Sequence, residues 1–273
     1  MSNLITRTLT GIVFVALIIL SALYSTLAFT LLFFVFTILG INEFYKLVEN
    51  HHYKPLRWMG CIGGALIFLL VSFCFLHIVP IKLLFLTPTP LFVLLFAELY
   101  RKNENPIQNL ALSFMGILYV AVPFALMVSL FYPGFNFTNI NNHIVLGYFL
   151  LVWLNDTMAY VTGMTLGRTR LFERISPQKT WEGTIGGGVF CLAGAYVLSV
   201  FFTNMNSWQW MVMAVVIVVT ANLGDLTESL FKRSLFIKDS GTFFPGHGGI
   251  LDRFDAVFGS VPFVFAYIHI IFS

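Results

Sequence analysis

Charge is scarce in this chain. Asp, Glu, Lys and Arg make up 10% of its 273 residues, against about 25% in soluble domains. That shortage excludes the one or two water-soluble domains that the length alone would allow. Cysteine is scarce as well. Cys61, Cys74 and Cys191 lie in apolar runs without metal-ligand spacing, so they read as small buried hydrophobes and indicate no redox compartment. The chain has no Cys/His set of the kind zinc takes, and neither the Walker A nor the dinucleotide-binding glycine spacing. It also lacks a low-complexity tract, a convincing internal repeat and any insertion large enough to be a soluble domain.

Hydrophobic residues fill that space. They make up 58% of the chain, with 31 phenylalanines and a mean hydropathy of +0.88. A bilayer core of about 30 Å takes roughly 20 apolar residues per helix. That template predicts an all-α, polytopic membrane protein with about nine spans, near residues 7–24, 27–47, 58–78, 81–99, 109–132, 143–163, 183–203, 208–231 and 256–272. Counts of eight or ten also fit. The first span, which resembles a signal peptide, is read as retained because no small-residue cleavage site follows. Pro88 and Pro90 should kink or break the fourth. Residues 1–140 are expected to form the N-terminal helices, for lipid entry or dimer contact. Residues 141–273 are expected to form a catalytic region with a cytoplasmic site.

Orientation follows from the basic residues. With a cytoplasmic N-terminus, every Lys and Arg except Lys82 falls inside, while outer loops such as 132–143 and 203–208 carry no charge. All 12 acidic residues also fall at the cytoplasmic side, and no topology rule requires them there. The carboxylates therefore point to something bound on that face.

Three stretches concentrate the polar residues. Asn155 and Asp156 lie within the sixth span, where an ionisable group faces either a partner or a functional cavity. Gly167–Gly183 holds Arg168, Arg170, Arg174, Ser176, Lys179 and Thr180 ahead of Gly186, Gly187 and Gly188. Lysines, arginines and free N–H groups at a helix start suit phosphate, although the three arginines could simply touch anionic lipid. On the eighth span Asn222, Asp225, Ser229 and Lys232 form one polar stripe, and Glu228 could pair with Lys232. After a glycine-rich turn come Asp252 and Asp255, three apart on one helix face, where mutual repulsion calls for a cation. Oxygen ligands of that kind suit Mg²⁺. His247 could be a general base, a phosphate contact or a turn residue.

The stretch Ser229–Asp255 resembles the signature of phosphatidate cytidylyltransferases. Ser229, Lys232, Arg233, Lys238, Asp239, Gly241, Pro245, Gly246, His247, Gly248, Gly249, Asp252, Arg253 and Asp255 occupy its defined positions. Asp156, Ala159 and Tyr160 resemble a second part of the family's pattern. So do Ser176, Pro177, Lys179, Thr180, Glu182 and Gly183, with Gln178 where a lysine is common. The resemblance covers the second half of the chain.

That resemblance implies transfer of a cytidylyl group from CTP to phosphatidate, dependent on Mg²⁺ and with a second cation allowed for. It implies the inner membrane of a bacterium and a homodimer, with no nucleic-acid partner. Asp225 and Asp252 take the metal. Lys232, Arg233, Lys238 and Arg253 hold phosphates, with Asp255 and His247 at the reacting centre. Ser176, Lys179, Thr180, Ser229, Gly248, Gly249 and Asp156 join the nucleotide-binding set. The alternatives are a cation-coupled transporter using Asp156 and Asp225, or a CTP-dependent transferase acting on another lipid.

Overall fold

The computed structural model describes residues 2–49, 52–132, 141–241, 243 and 248–272, with side chains from Thr8 onward. Ten helices run in the order α1 (Ser2–Tyr24), α2 (Thr26–Val48), α3 (Arg57–Phe75), α4 (Thr89–Leu99), α5 (Pro106–Gly116), α6 (Val122–Ser129), α7 (Asn142–Leu166), α8 (Trp181–Phe201), α9 (Ser207–Ser234) and α10 (Leu251–Ile271). A 3-10 segment, Ile81–Leu86, leads into α4, and a π-helical turn, Ile117–Ala121, joins α5 to α6. Eight of these runs are long and apolar enough to cross a membrane, and Thr8–Tyr24 is a shorter apolar helix. The chain is an all-α polytopic membrane protein.

The expected break in the fourth span is present. The 3-10 segment ends at Leu86, and α4 starts afresh at Thr89 with Pro90 in its first turn, where proline costs no hydrogen bond. Two expectations shift. The last span begins at Leu251 rather than 256, so Asp252 and Asp255 are helical residues at its start. Between α7 and α8 the chain forms a small antiparallel hairpin, β1 (Arg170–Phe172) and β2 (Ser176–Thr180). Apolar-run counting gives no hint of it.

The chain divides into two units, residues 1–132 with 237–254 and residues 133–236 with 255–273. The first is built on aromatic packing. Phe33, Phe124 and Phe254 meet edge to face at 4.8–5.7 Å, and Phe14 packs on Phe254 at 5.3 Å. Lipid tails are as apolar as phenylalanine, so fit and dispersion hold these helices together rather than escape from water. Each aromatic pair adds about 0.5–1.5 kcal/mol.

The second unit is built on small residues. Gly183, Gly186 and Gly187 of α8 lie against Ala159, Thr162 and the Asn155 backbone of α7. Gly224 of α9 lies against Gly259 of α10, close enough that a Cβ on Gly224 would come within 2.8 Å of the Gly259 Cα. Tyr148 of α7 bonds Ser260 of α10 at 2.6 Å. Asn206 caps α9, its side chain accepting from the Gln209 N–H while Gln209 returns the bond.

Candidate active site

In the second unit the polar residues of α7, β2, α9 and α10 gather. Asp225, two turns from the end of α9, forms an ion pair with Lys179 of β2. Its other oxygen lies 3.4 Å from the Ser229 hydroxyl. One turn on, Lys232 pairs with Glu228 at 2.5 Å, the pairing that the four-residue spacing allowed. Asp156 and Asp255 lie within electrostatic reach of Asp225, and Lys179 within reach of Asp156. Carboxylates from three helices thus lie near one another, and the strand-borne lysine reaches two of them, Asp225 and Asp156. The close crossing at Gly224 and Gly259 makes this possible, because each glycine sits next to, or one turn from, an aspartate of the cluster.

Asn155 is buried, with its amide 3.3 Å from the Asp156 carboxylate and its own Oδ1 unpartnered. The stripe predicted on α9 is present from Asp225 through Lys232, but Asn222 turns away and donates to the Val218 carbonyl at 2.6 Å. Arg233 reaches the hairpin, its Nε 3.4 Å from the Ile175 carbonyl. Ser176 sits in β2 opposite Phe172, partly exposed.

Thr180 has a structural task. Its hydroxyl accepts the Gly183 N–H at 3.1 Å and so caps α8. The next side chain in that turn, Glu182, accepts the Arg168 and Thr169 N–H groups at 3.1 Å and anchors the base of the hairpin. Because α8 starts at Trp181, Gly186–Gly188 lie beyond its first four N–H groups. They pack against α7 and α9 and offer no donors to phosphate.

In the first unit the signature loop is organised by two carboxylates. Asp252 Oδ2 accepts from the Ser240 N–H at 2.9 Å and the Gly249 N–H at 2.8 Å, and it lies 2.9 Å from the Ser240 hydroxyl. Glu43 of α2 accepts from the Ile250 N–H at 2.9 Å, the Leu251 N–H at 3.0 Å and the Ser240 hydroxyl at 2.5 Å. Gly248 has φ +83°, a left-handed conformation that suits glycine. The N–H groups at the start of α10 are therefore held by protein carboxylates. Lys238, Asp239 and Arg253 are exposed. Thr242 and Phe244–His247 lie outside the described residues, so His247, Pro245 and Gly246 receive no placement.

Glu43 is the residue that sequence reading passed over. Its local signal was an acid beside Asn42 near the end of an apolar span.

Among the described residues, no group of three or more His, Cys, Asp and Glu is arranged to hold a metal. The donor chemistry still fits Mg²⁺, since Asp225 brings hard oxygens and a neighbouring hydroxyl. The Lys179 ammonium on Asp225 shows that this carboxylate attracts a cation. Asp252 has one oxygen committed to the loop.

The fold and this cluster define a polytopic membrane protein with carboxylates and basic side chains grouped at the ends of its helices. Residues 5–271 match the cytidylyltransferase family, and the chain belongs to that family. It is 38% identical over 173 residues to the phosphatidate cytidylyltransferase of Staphylococcus haemolyticus, covering 63% of this chain and 64% of that protein. The enzymes of the same name from Staphylococcus saprophyticus and Staphylococcus aureus strain COL are also 38% identical, over 172 and 173 residues, with the same coverage. The chain thus spans about two thirds of the length of these relatives, just under that fraction.

Proposed function

We propose that the protein transfers the cytidylyl group of CTP to phosphatidate, giving CDP-diacylglycerol and diphosphate for phospholipid synthesis. The observation that carries this reading is the Lys179–Asp225 pair within the Asp156, Asp225 and Asp255 cluster, with Lys232 and Arg233 about two turns further along α9. Family membership and the names of the staphylococcal relatives support it and favour a transferase over a transporter.

The chemistry makes modest demands on the chain. An oxygen of the lipid phosphate attacks the α-phosphorus of CTP. A new P–O bond forms as the bond from the α-phosphorus to the bridging oxygen breaks, and diphosphate leaves with the electron pair. The nucleophile is already an anion, so no strong general base is needed. The obstacle is bringing anions together, which preorganised cations overcome. Lys179, Lys232, Arg233, Lys238 and Arg253 serve the phosphates. Lys179 and Lys232 rest on carboxylates and exchange them for phosphate oxygens when substrate enters. Asp225 and Asp252 would hold Mg²⁺ through their carboxylate oxygens, and the ion would supply charge neutralisation. A second cation is compatible with the acidic surplus. Asp156, Ser176, Thr180, Ser229, Gly248 and Gly249 shape the nucleotide side, with Asp255 and His247 at the reacting centre.

The distribution of Lys and Arg supports a site on the cytoplasmic face, where CTP arrives from water and the lipid enters sideways. We place the protein in the cytoplasmic (inner) membrane of a bacterium, as a homodimer. The test is purified protein with labelled CTP, Mg²⁺ and a panel of lipid acceptors. Phosphatidate should be the preferred acceptor, with diphosphate released in equal amount. Preference for a polyprenyl acceptor, or no CMP transfer to any lipid, would overturn the reading.

A further inference from the structure

Nothing in the transfer chemistry calls for the first half of the chain, yet one of its side chains grips the signature loop. Glu43 stands near the end of α2, and its carboxylate takes the N–H groups of Ile250 and Leu251, 207 and 208 positions along the chain. Those N–H groups belong to the entry into α10, where a helix has no acceptors of its own and where a negative charge is favoured.

The same carboxylate also takes part in the contacts around Ser240. A hydroxyl has one proton to donate. The Ser240 hydroxyl lies 2.5 Å from Glu43 and 2.9 Å from Asp252, so its proton goes to the nearer oxygen. Asp252 keeps the Ser240 and Gly249 N–H bonds. Glu43 and Asp252 therefore brace one loop from opposite ends of the same serine.

A second observation is independent of hydrogen bonding. A Cβ on Gly241 would lie 2.7 Å from Glu43 Oε2, and one on Gly249 would overlap the same carboxylate. Neither glycine has a positive φ, so backbone conformation does not account for them. What they share is the Glu43 side chain lying against both.

We propose that Glu43 is a positioning residue for the transfer. It holds Ser240 and the first turn of α10, and through them sets the carboxylate of Asp252 and the exposed Lys238 and Arg253. This role rests on the transferase reading above. Glu43 touches no substrate in this account; it acts through the loop.

The test uses the full chain in lipid nanodiscs with Glu43→Gln and Glu43→Ala, following amide exchange, thermal melting and CTP-dependent transfer. Glu43→Gln keeps the shape but presents an amide to donors that need acceptors. Its melting temperature should stay within a few degrees of wild type while kcat falls at least tenfold, with KM for CTP within about threefold. Glu43→Ala should raise exchange at Ile250 and Leu251 at least tenfold, leaving α3 and α5 protected. If Glu43→Ala does not fold, Glu43→Gln carries the same measurements. Wild-type kcat in folded Glu43→Gln, or unchanged exchange at Ile250 and Leu251, would overturn the proposal. A wild type that transfers nothing sinks the transferase reading, and exchange at those two amides still decides whether Glu43 holds the loop.

Discussion

Gly224→Ala is the most direct test of how the second unit is assembled. A Cβ there would sit 2.6 Å from the Asp255 carbonyl oxygen and 2.8 Å from the Gly259 Cα, where ordinary contacts run from 3.4 to 4 Å. Both neighbours are backbone, so neither can rotate away, and α9 and α10 must separate by roughly 1 Å. Overpacking of this kind costs about 1–3 kcal/mol. Alanine returns about 1 kcal/mol of helix propensity, leaving a net loss of up to about 2 kcal/mol. At about 2–4 °C per kcal/mol for a chain of this size, melting should fall by up to about 8 °C. Activity should suffer more, because Asp225 and Asp255 ride on the two helices being separated, and a 1 Å misplacement can cost about 100-fold. Gly188→Ala is the matched control. Its Cβ would meet only Val218 methyls at 3.3 and 3.9 Å, which can adjust, so this variant should be neutral or stabilised by up to about 1 kcal/mol. The assay is melting in detergent alongside CMP transfer to phosphatidate. If Gly224→Ala matches Gly188→Ala in both, the backbone crossing does not position the cluster.

Other perturbations separate structural from chemical roles. Asp225→Asn or Asp252→Asn should abolish Mg²⁺-dependent transfer while each protein still inserts and folds; near-normal turnover in either would remove it from the metal assignment. Thr180→Ala should lower stability by about 1 kcal/mol by uncapping α8, and Thr180→Ser should restore it, both read by melting. Tyr148→Phe removes a buried bond to Ser260, which keeps its own bond to the Ala256 carbonyl. It should cost about 1 kcal/mol, read by melting.

Much of this architecture was legible because a membrane imposes a length and a composition on each span. The apolar runs correspond to helices within a few residues, and the broken fourth span follows from proline chemistry. The pairing of Lys232 with Glu228 was readable from helical spacing. The link between Lys179 and Asp225 was not, because it joins a strand to a helix and no local period records it. Gly186–Gly188 show the opposite difficulty. A glycine run before a span suits exposed N–H groups and close helix packing equally well, and only the true start of α8 decides between them. Glu43 was invisible for a third reason: its partners are backbone N–H groups, which leave no trace in residue type.

The hairpin between α7 and α8 has a mechanical consequence. Strand β2 ends at Thr180 and α8 begins at Trp181, with no linker between them. Lys179 is thus carried on a rigid extension of a bilayer-spanning rod whose seam with α7 is lined by glycine. Helices answer a change in bilayer thickness by tilting. Tilt of α8 would therefore carry Lys179 with it, joined as β2 is directly to the start of the helix.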